Sequence, residues 1–208
     1  VGCDASSLEL RMLAHYMDDT EYTNEILHGD IHLKNQIATG LKTRDKAKTF
    51  IFAFLYGAGD AKIGSIIGGS DREGKKIKTN FLNNTPALRS LREKVINSSG
   101  KGFIKGLDGR KIWIRSSHAA LNFLLQGAGA IVMKKALTIL NNNAIMEGLD
   151  YKLVGNIHDE FQSEVLDKHA TRFGELAIEA IKEAGLYYEL RCPLDAQTKI
   201  GNNWTETH

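Results

Sequence analysis

Apolar residues fall at helical spacing through most of this chain and alternate at strand spacing in only a few short stretches. The first is Val1-Gly2-Cys3, an apolar run that predicts a strand delivering Asp4 to its end. Leu8, Leu10, Leu13, Ala14 and Met17 then mark a helix over 7–19, with Arg11 and His15 at its polar positions. A short helix over 21–29 ends at Gly29, and Asp30 caps another over 30–39 that closes before Gly40. The clearest helix covers 43–56. Thr43 caps it, Ala47, Phe50, Ile51, Phe54 and Leu55 form its apolar side, and Gly57-Ala58-Gly59 stops it. Further helices are expected over 60–67, over the basic stretch 71–82 with Arg72, Lys75, Lys76 and Lys78, and from Pro86 to Asn97, proline being well tolerated in a first turn.

The pattern then changes. Residues 102–105 and 111–115 read as strands joined by Gly106-Leu107-Asp108-Gly109-Arg110, and Asp-Gly between alternating runs signals a hairpin. A long helix over 117–147 is apolar nearly all round from Ala119 to Val132, which predicts a buried central helix. Residues 151–157 and 161–166 read as strands with a tight turn at His158-Asp159-Glu160. An amphipathic helix over 167–185, a last strand over 189–200 and a short tail complete the chain. The fold class is therefore α+β: an antiparallel sheet with a mainly helical subdomain inserted between its first strand and the later ones.

Composition adds little. The 208 residues are 42% hydrophobic and 25% charged, ordinary for a globular protein, and the net charge of +2 does not by itself call for a nucleic-acid partner. Cys3 and Cys192 lack metal-ligand spacing and suit a reducing compartment. With no unbroken run of eighteen apolar residues and no signal-peptide pattern, the expectation is a soluble cytoplasmic protein with no membrane partner.

Three constellations carry chemistry. Arg44, Lys48, Phe52 and Tyr56 recur every fourth residue, so they share one slowly drifting helix face, followed by Gly57. Two cations and then two aromatics suit a nucleoside triphosphate, the cations meeting phosphates and the rings meeting base and sugar. A solvated charged face with core aromatics is the plainer alternative. His32 and Lys34 lie just upstream. His158-Asp159-Glu160 holds acidic side chains at a sheet edge, although Asp is common in plain turns. Asp4 also ends a strand, where it could equally be a helix cap. If the two strands are neighbours, carboxylates from distant parts of the sequence converge, as two-metal phosphoryl transfer requires. Finally, His118, Asn122 and Gln126 are spaced every fourth residue on a largely apolar helix, where they could touch nucleic acid or satisfy nearby backbone groups.

Taken together these residues resemble the family A DNA polymerases, and most of all their bacteriophage T7-like branch. Asp4-Ala5-Ser6-Ser7-Leu8-Glu9-Leu10-Arg11 is similar to motif A, Arg44-x₃-Lys48-x₃-Phe52-x₃-Tyr56-Gly57 to motif B, and His158-Asp159-Glu160 to motif C. Asp30-Ile31-His32, Gly106 to Arg110 and His118 to Gln126 also fit, so the resemblance covers nearly the whole chain. It implies a carboxy-terminal fingers and palm portion: residues 1–29 beginning the palm, 30–100 forming the fingers, and 101–208 the rest of the palm. It implies two Mg²⁺ ions on Asp4, Asp159 and the Ala5 carbonyl, with Glu160 as an auxiliary carboxylate near the primer end. Glu9 would be the steric gate against a 2′-hydroxyl. Arg44, Lys48 and His32 would hold the triphosphate of a dNTP, with Lys48 also serving the leaving pyrophosphate. Phe52 belongs to the same stripe, and Tyr56 would stack near the templating position. His118, Asn122, Gln126 and His158 would contact primer–template DNA, and Arg11 would support the palm carboxylates.

Two departures matter. Position 52 is Phe, where the T7-like branch usually carries Tyr, which implies discrimination against dideoxynucleotides. The thumb, exonuclease and early palm that the family places before motif A are not in this sequence. The expectation is therefore a split polymerase completed by a separate amino-terminal fragment in the cytoplasm of a phage-infected bacterium, with Cys3 and the Asp4 strand covered at that junction. Two other readings stand beside it: an inactive nucleic-acid-binding remnant, and a relative of single-subunit RNA polymerases, against which the acidic residue Glu9 argues.

Overall fold

The computed structural model describes residues 1–208. Its elements divide into two compact units, one made of residues 1–12 and 126–208, the other of residues 13–125. Both divisions fall inside helices, α1 (Leu8–Met17) and α8 (Ala120–Met146).

The first unit is built on a four-stranded antiparallel sheet. Strand β1 (Gly2–Ala5) lies between β5 (Glu160–Val165) and β6 (Ala196–Lys199), and β4 (Tyr151–Ile157) pairs with the outer side of β5. The first strand thus has both hydrogen-bonding edges filled by this chain. This corrects the expectation that the Asp4 strand and Cys3 await a partner; Cys3 is buried between β5 and β6. Helix α9 (Asp167–Tyr187) packs on the sheet, burying Phe173, Leu176 and Ile181. The last strand is shorter than expected. Pro193 has no N–H to offer a ladder, and its carbonyl is taken by the Arg11 guanidinium, so residues before Ala196 stay irregular.

The second unit is helical. It holds α2 (Thr20–His28), α3 (Ile31–Thr39), α4 (Arg44–Leu55), α5 (Asp60–Ile67), α6 (Asp71–Asn84) and α7 (Pro86–Ser99), then the hairpin of β2 (Phe103–Lys105) and β3 (Lys111–Trp113). Side chains fix the helix starts: Asp19 accepts from Tyr22 N, Asp30 from His32 N and Leu33 N, Thr43 from Lys46 N, and Ser70 with Glu73 closes a capping box. The core centres on three rings. Phe50 and Phe54 stack one turn apart on α4, and both meet Phe81 of α6 edge-on, at centroid distances of 5.2 and 5.3 Å. The unit is wider than residues 30–100 because α2 packs on α3 through a fully buried Tyr22, and α7 packs on β2.

The long helix differs from its expected form. An irregular 3-10 turn (Ser117–Ala119) precedes it, so His118 is not on the α-helix with Asn122 and Gln126. It is also not buried all round: Phe123, Gln126, Ala130 and Lys134 are exposed. Residues 117–146 have the length and apolarity of a membrane span, although charged and amide residues interrupt the apolar run, but 56% of the most apolar 18-residue window within them is buried in the protein, as in a core helix.

Candidate active site

The carboxylates gather at one end of the sheet for reasons of register. Asp4 stands directly across from Glu160, and the Ala5 amide donates to the Asp159 carbonyl at 2.9 Å. Alternation along β1 turns Cys3 and Ala5 inward and Asp4 outward. The turn from β4 to β5 is His158-Asp159, with His158 in the left-handed region at φ 54°. Such backbone is uncommon for a residue with a side chain and is typical of tight turns. Glu160 begins β5 rather than ending the turn.

The three acids differ in environment. Burial and the charges of Asp159 and Glu160 push the Asp4 carboxyl above its usual range, while His208 and Lys199 pull the other way. Burial also pushes Glu160 up, but hydrogen bonds from Gln162 and His208 outweigh it and the net direction is down. Glu160 is 4% exposed, and its oxygens are taken by Gln162 Nε2 and by His208 Nδ1, the latter at 2.7 Å. Asp4 and Asp159 are the more open pair. A hard divalent cation that keeps most of its waters needs one or two carboxylates rather than a full protein cage, and these oxygens fit that requirement. No cluster of three or more His, Cys, Asp or Glu side chains is gathered as a cage. Glu9 is half-buried in the first turn of α1 in this same unit. Arg11 reaches the carbonyls of Ser6 and Pro193.

The cation–aromatic stripe lies in the helical unit. Because Phe50 and Phe54 face the core, Arg44 and Lys48 are exposed and Phe52 is half-buried on other sides of α4. Tyr56 is 56% exposed just past the helix end. His32 of α3 meets Phe52, ring centroids 6.2 Å apart. Burial, then the charges of Arg44 and Lys48, holds the His32 imidazole below its usual range, and its Nδ1 is buried with no protein partner. His32, Arg44, Lys48 and Phe52 therefore form one cluster. Arg44 is partly engaged: its Nε donates to Asp30 at 2.7 Å, which with the α3 N–H groups lowers the Asp30 carboxyl to about 2. Lys34 is occupied by Glu21 and lies outside the cluster.

Gly57 ends the stripe at φ 80°, and a Cβ there would lie 2.9 Å from the His118 carbonyl. Beside it a cavity of about 330 Å³ is lined by Arg92, His118 and the ion pair of Lys78 with Asp60, 2.9 Å apart, over Phe54, Leu55 and Leu121. Asn122 and Gln126 stand one turn apart on α8, and His158 is exposed in the β4–β5 turn. Sequence reasoning missed His208, Gln162 and Lys199 near the carboxylates. The available signal was Asn203-x-x-Glu206, a capping pattern that starts a one-turn helix, α10 (Trp204–Thr207), in what reads as a tail.

The sequence profile described as DNA polymerase family A matches residues 1–206. The chain belongs to that family. The whole chain aligns at 46% identity with the DNA-directed DNA polymerase of Enterobacteria phage T3 and at 45% with that of Escherichia phage T7, in each case over 33% of the relative. These relatives place it with the T7-like branch, of whose members it spans about a third of the length. The POL domain of Pol1 from M. smegmatis, solved in complex with DNA primer-template and dNTP, shares the fold with a TM-score of 0.83 at 22% identity, over 94% of this chain and 38% of that one.

Proposed function

We propose that this chain is the catalytic fingers and palm portion of a template-directed DNA polymerase, adding a dNTP to a primer 3′-hydroxyl with release of pyrophosphate. Register carries the reading: Asp4 and Asp159, 155 positions apart in sequence, meet at one sheet end through the Ala5–Asp159 hydrogen bond. Asp4, Asp159 and the Ala5 carbonyl would hold two Mg²⁺ ions. Those ions would activate the 3′-hydroxyl and neutralise charge on the triphosphate and leaving group.

The chain's own residues would do the rest. Arg44 and Lys48 bind phosphate oxygens, Arg44 by leaving or sharing Asp30, and Lys48 meets the charge that develops on the pyrophosphate. A neutral His32 offers the same phosphates a hydrogen bond. Phe52 packs against the sugar, Glu9 excludes a 2′-hydroxyl, and Tyr56 covers the templating position. His118, Asn122, Gln126 and His158 contact the primer–template, His118 from the cavity it shares with Arg92 and with the Lys78–Asp60 ion pair. Residues 30–100 are the heart of the fingers, and the sheet with its helix is the palm.

The phage relatives are about three times as long as this chain. Thumb and exonuclease functions would come from sequence outside these residues, on a separate amino-terminal fragment in the split arrangement, acting in the cytoplasm of an infected bacterium. The test is primer extension with Mg²⁺ and dNTPs, with and without an amino-terminal family A fragment. Extension that is lost in both Asp4→Ala and Asp159→Ala supports the reading. Salt-sensitive DNA binding with no extension under either condition, and no effect of either substitution, leaves a DNA-binding remnant instead.

A further inference from the structure

Glu160 is held by a clip whose parts come from three places. Its Oε1 accepts from Gln162 Nε2 and its Oε2 pairs with His208 Nδ1 at 2.7 Å. Gln162 is itself fixed, its Oε1 accepting from Thr207 Oγ1 at 2.9 Å. Lys199 Nζ donates to the His208 main-chain oxygen at 2.7 Å, and the Trp204 ring lies edge-on to the imidazole at 6.2 Å. The sequence makes room for this arrangement: a Cβ on Gly2 would come within 2.4 Å of the Thr207 carbonyl oxygen and 2.6 Å of Gln162 Nε2. Only glycine lets the first strand run beneath the clip, so the Asp4 strand and α10 are fitted to each other.

The outcome is an asymmetry among three neighbouring acids. Asp4 and Asp159 keep oxygens for a cation, while Glu160, directly across from Asp4, has both oxygens spoken for. We propose that His208 is a positioning residue: with Gln162 it holds Glu160 out of the divalent-cation site and so limits that site to two carboxylates. The inference rests on the proposed role of Asp4 and Asp159. It makes His208 a determinant of cation affinity without contact to the cation. Without the imidazole, Glu160 Oε2 loses its 2.7 Å partner, and the carboxylate, left with the Gln162 amide and the Trp204 side chain, can turn toward Asp4.

The test is Mn²⁺ binding to the full chain without nucleotide, followed by electron paramagnetic resonance of the free ion, alongside thermal unfolding. In His208→Ala the released carboxylate brings its existing negative charge closer to the cation, and the dissociation constant should fall roughly three- to fivefold. A second substitution, Glu160→Gln, should return it to the wild-type value. His208→Gln, whose amide can donate to Glu160, should resemble wild type. A merely structural role predicts the reverse, a lower Tm and unchanged or weaker Mn²⁺ binding, and that result overturns the inference. So does a double variant that still binds as tightly as His208→Ala. If wild type and Asp4→Ala bind Mn²⁺ alike, the metal-site reading itself fails and the positioning role falls with it.

Discussion

The orientation of α4 should depend on a single ring at its back. Phe81 is fully buried and meets both Phe50 and Phe54 edge-on. Those two side chains turn the apolar side of α4 inward, which is why Arg44 and Lys48 face outward. Burying a phenylalanine stabilises by about 1.5–3 kcal/mol. Each edge contact contributes about 0.5–1.5 kcal/mol beyond area. With two such contacts the total for Phe81→Ala comes to roughly 2.5–6 kcal/mol, which spans the roughly 3–5 kcal/mol expected for emptying an aromatic core site. A domain is stable by only about 5–15 kcal/mol, so the helical unit should be near its limit. Urea unfolding followed by far-ultraviolet circular dichroism measures the loss. Binding of a fluorescent dNTP at a temperature where the variant is still folded measures the effect on the stripe. Phe81→Leu, which refills most of the space, should recover more than half of the stability and most of the binding. A loss below about 1 kcal/mol would mean that the rings do not pack as a core. Full instability with unchanged nucleotide affinity would mean that the orientation of α4 is set elsewhere.

Other expectations follow from single residues. Phe52→Tyr should raise incorporation of dideoxynucleotides relative to deoxynucleotides in competitive primer extension, because a tyrosine hydroxyl can replace the hydrogen bond lost with the 3′-hydroxyl; an unchanged ratio would put the stripe assignment in error. Asp4 has a carboxyl raised above its ordinary 3.8 by burial and by Asp159 and Glu160, so the metal-free protein should lose stability as pH rises through the Asp4 pKa. Asp4→Asn should therefore raise Tm at pH 7 without metal, lose that advantage below pH 4, and no longer be stabilised by Mg²⁺; a lower Tm at pH 7 contradicts this. Gly57→Ala places a side chain in left-handed backbone, costing about 1–2 kcal/mol before the contact with the His118 carbonyl is counted, and chemical denaturation should show at least that loss. Burial, with the Asp4 charge, pushes the Cys3 thiol up to about 12, so thiol-directed reagents should label it only as fast as the protein opens.

Much of this architecture can be read from the chain because the informative features repeat. Phe50, Ile51, Phe54 and Leu55 recur at helical spacing and are buried, so the opposite stripe of Arg44, Lys48 and Tyr56 is already implied. Asp4 and Asp159 each sit where a strand meets a turn, and only the pairing of β1 with β5 was missing. The hidden parts have no period to read. A helix of four residues, α10, is too short to show one, so the clip on Glu160 looks like a tail. Register also cannot be read from β1 alone: its neighbours β5 and β6 lie far along the chain, and without them the strand looks exposed when both of its edges are filled.

The long helix shows the limit from the other direction. Its composition is apolar on every side, and composition alone predicts burial on every side. Burial, however, is decided by what packs against each face, and a helix made largely of Ala, Gly, Leu and Ile can lie open on one of them. Phe123, Gln126, Ala130 and Lys134 occupy that open face, with Asn122 at its edge, so amide and cationic groups stand among small apolar ones. An exposed stripe of this kind would suit the edge of a nucleic-acid groove, where amides find donors and acceptors and small side chains allow close approach. On the proposed function, this open face would be a surface that meets the primer–template. Gln126→Ala should weaken primer–template binding, measured at a temperature where the variant is fully folded, by more than its loss of Tm accounts for. A comparable loss of both would return the helix to a purely structural role.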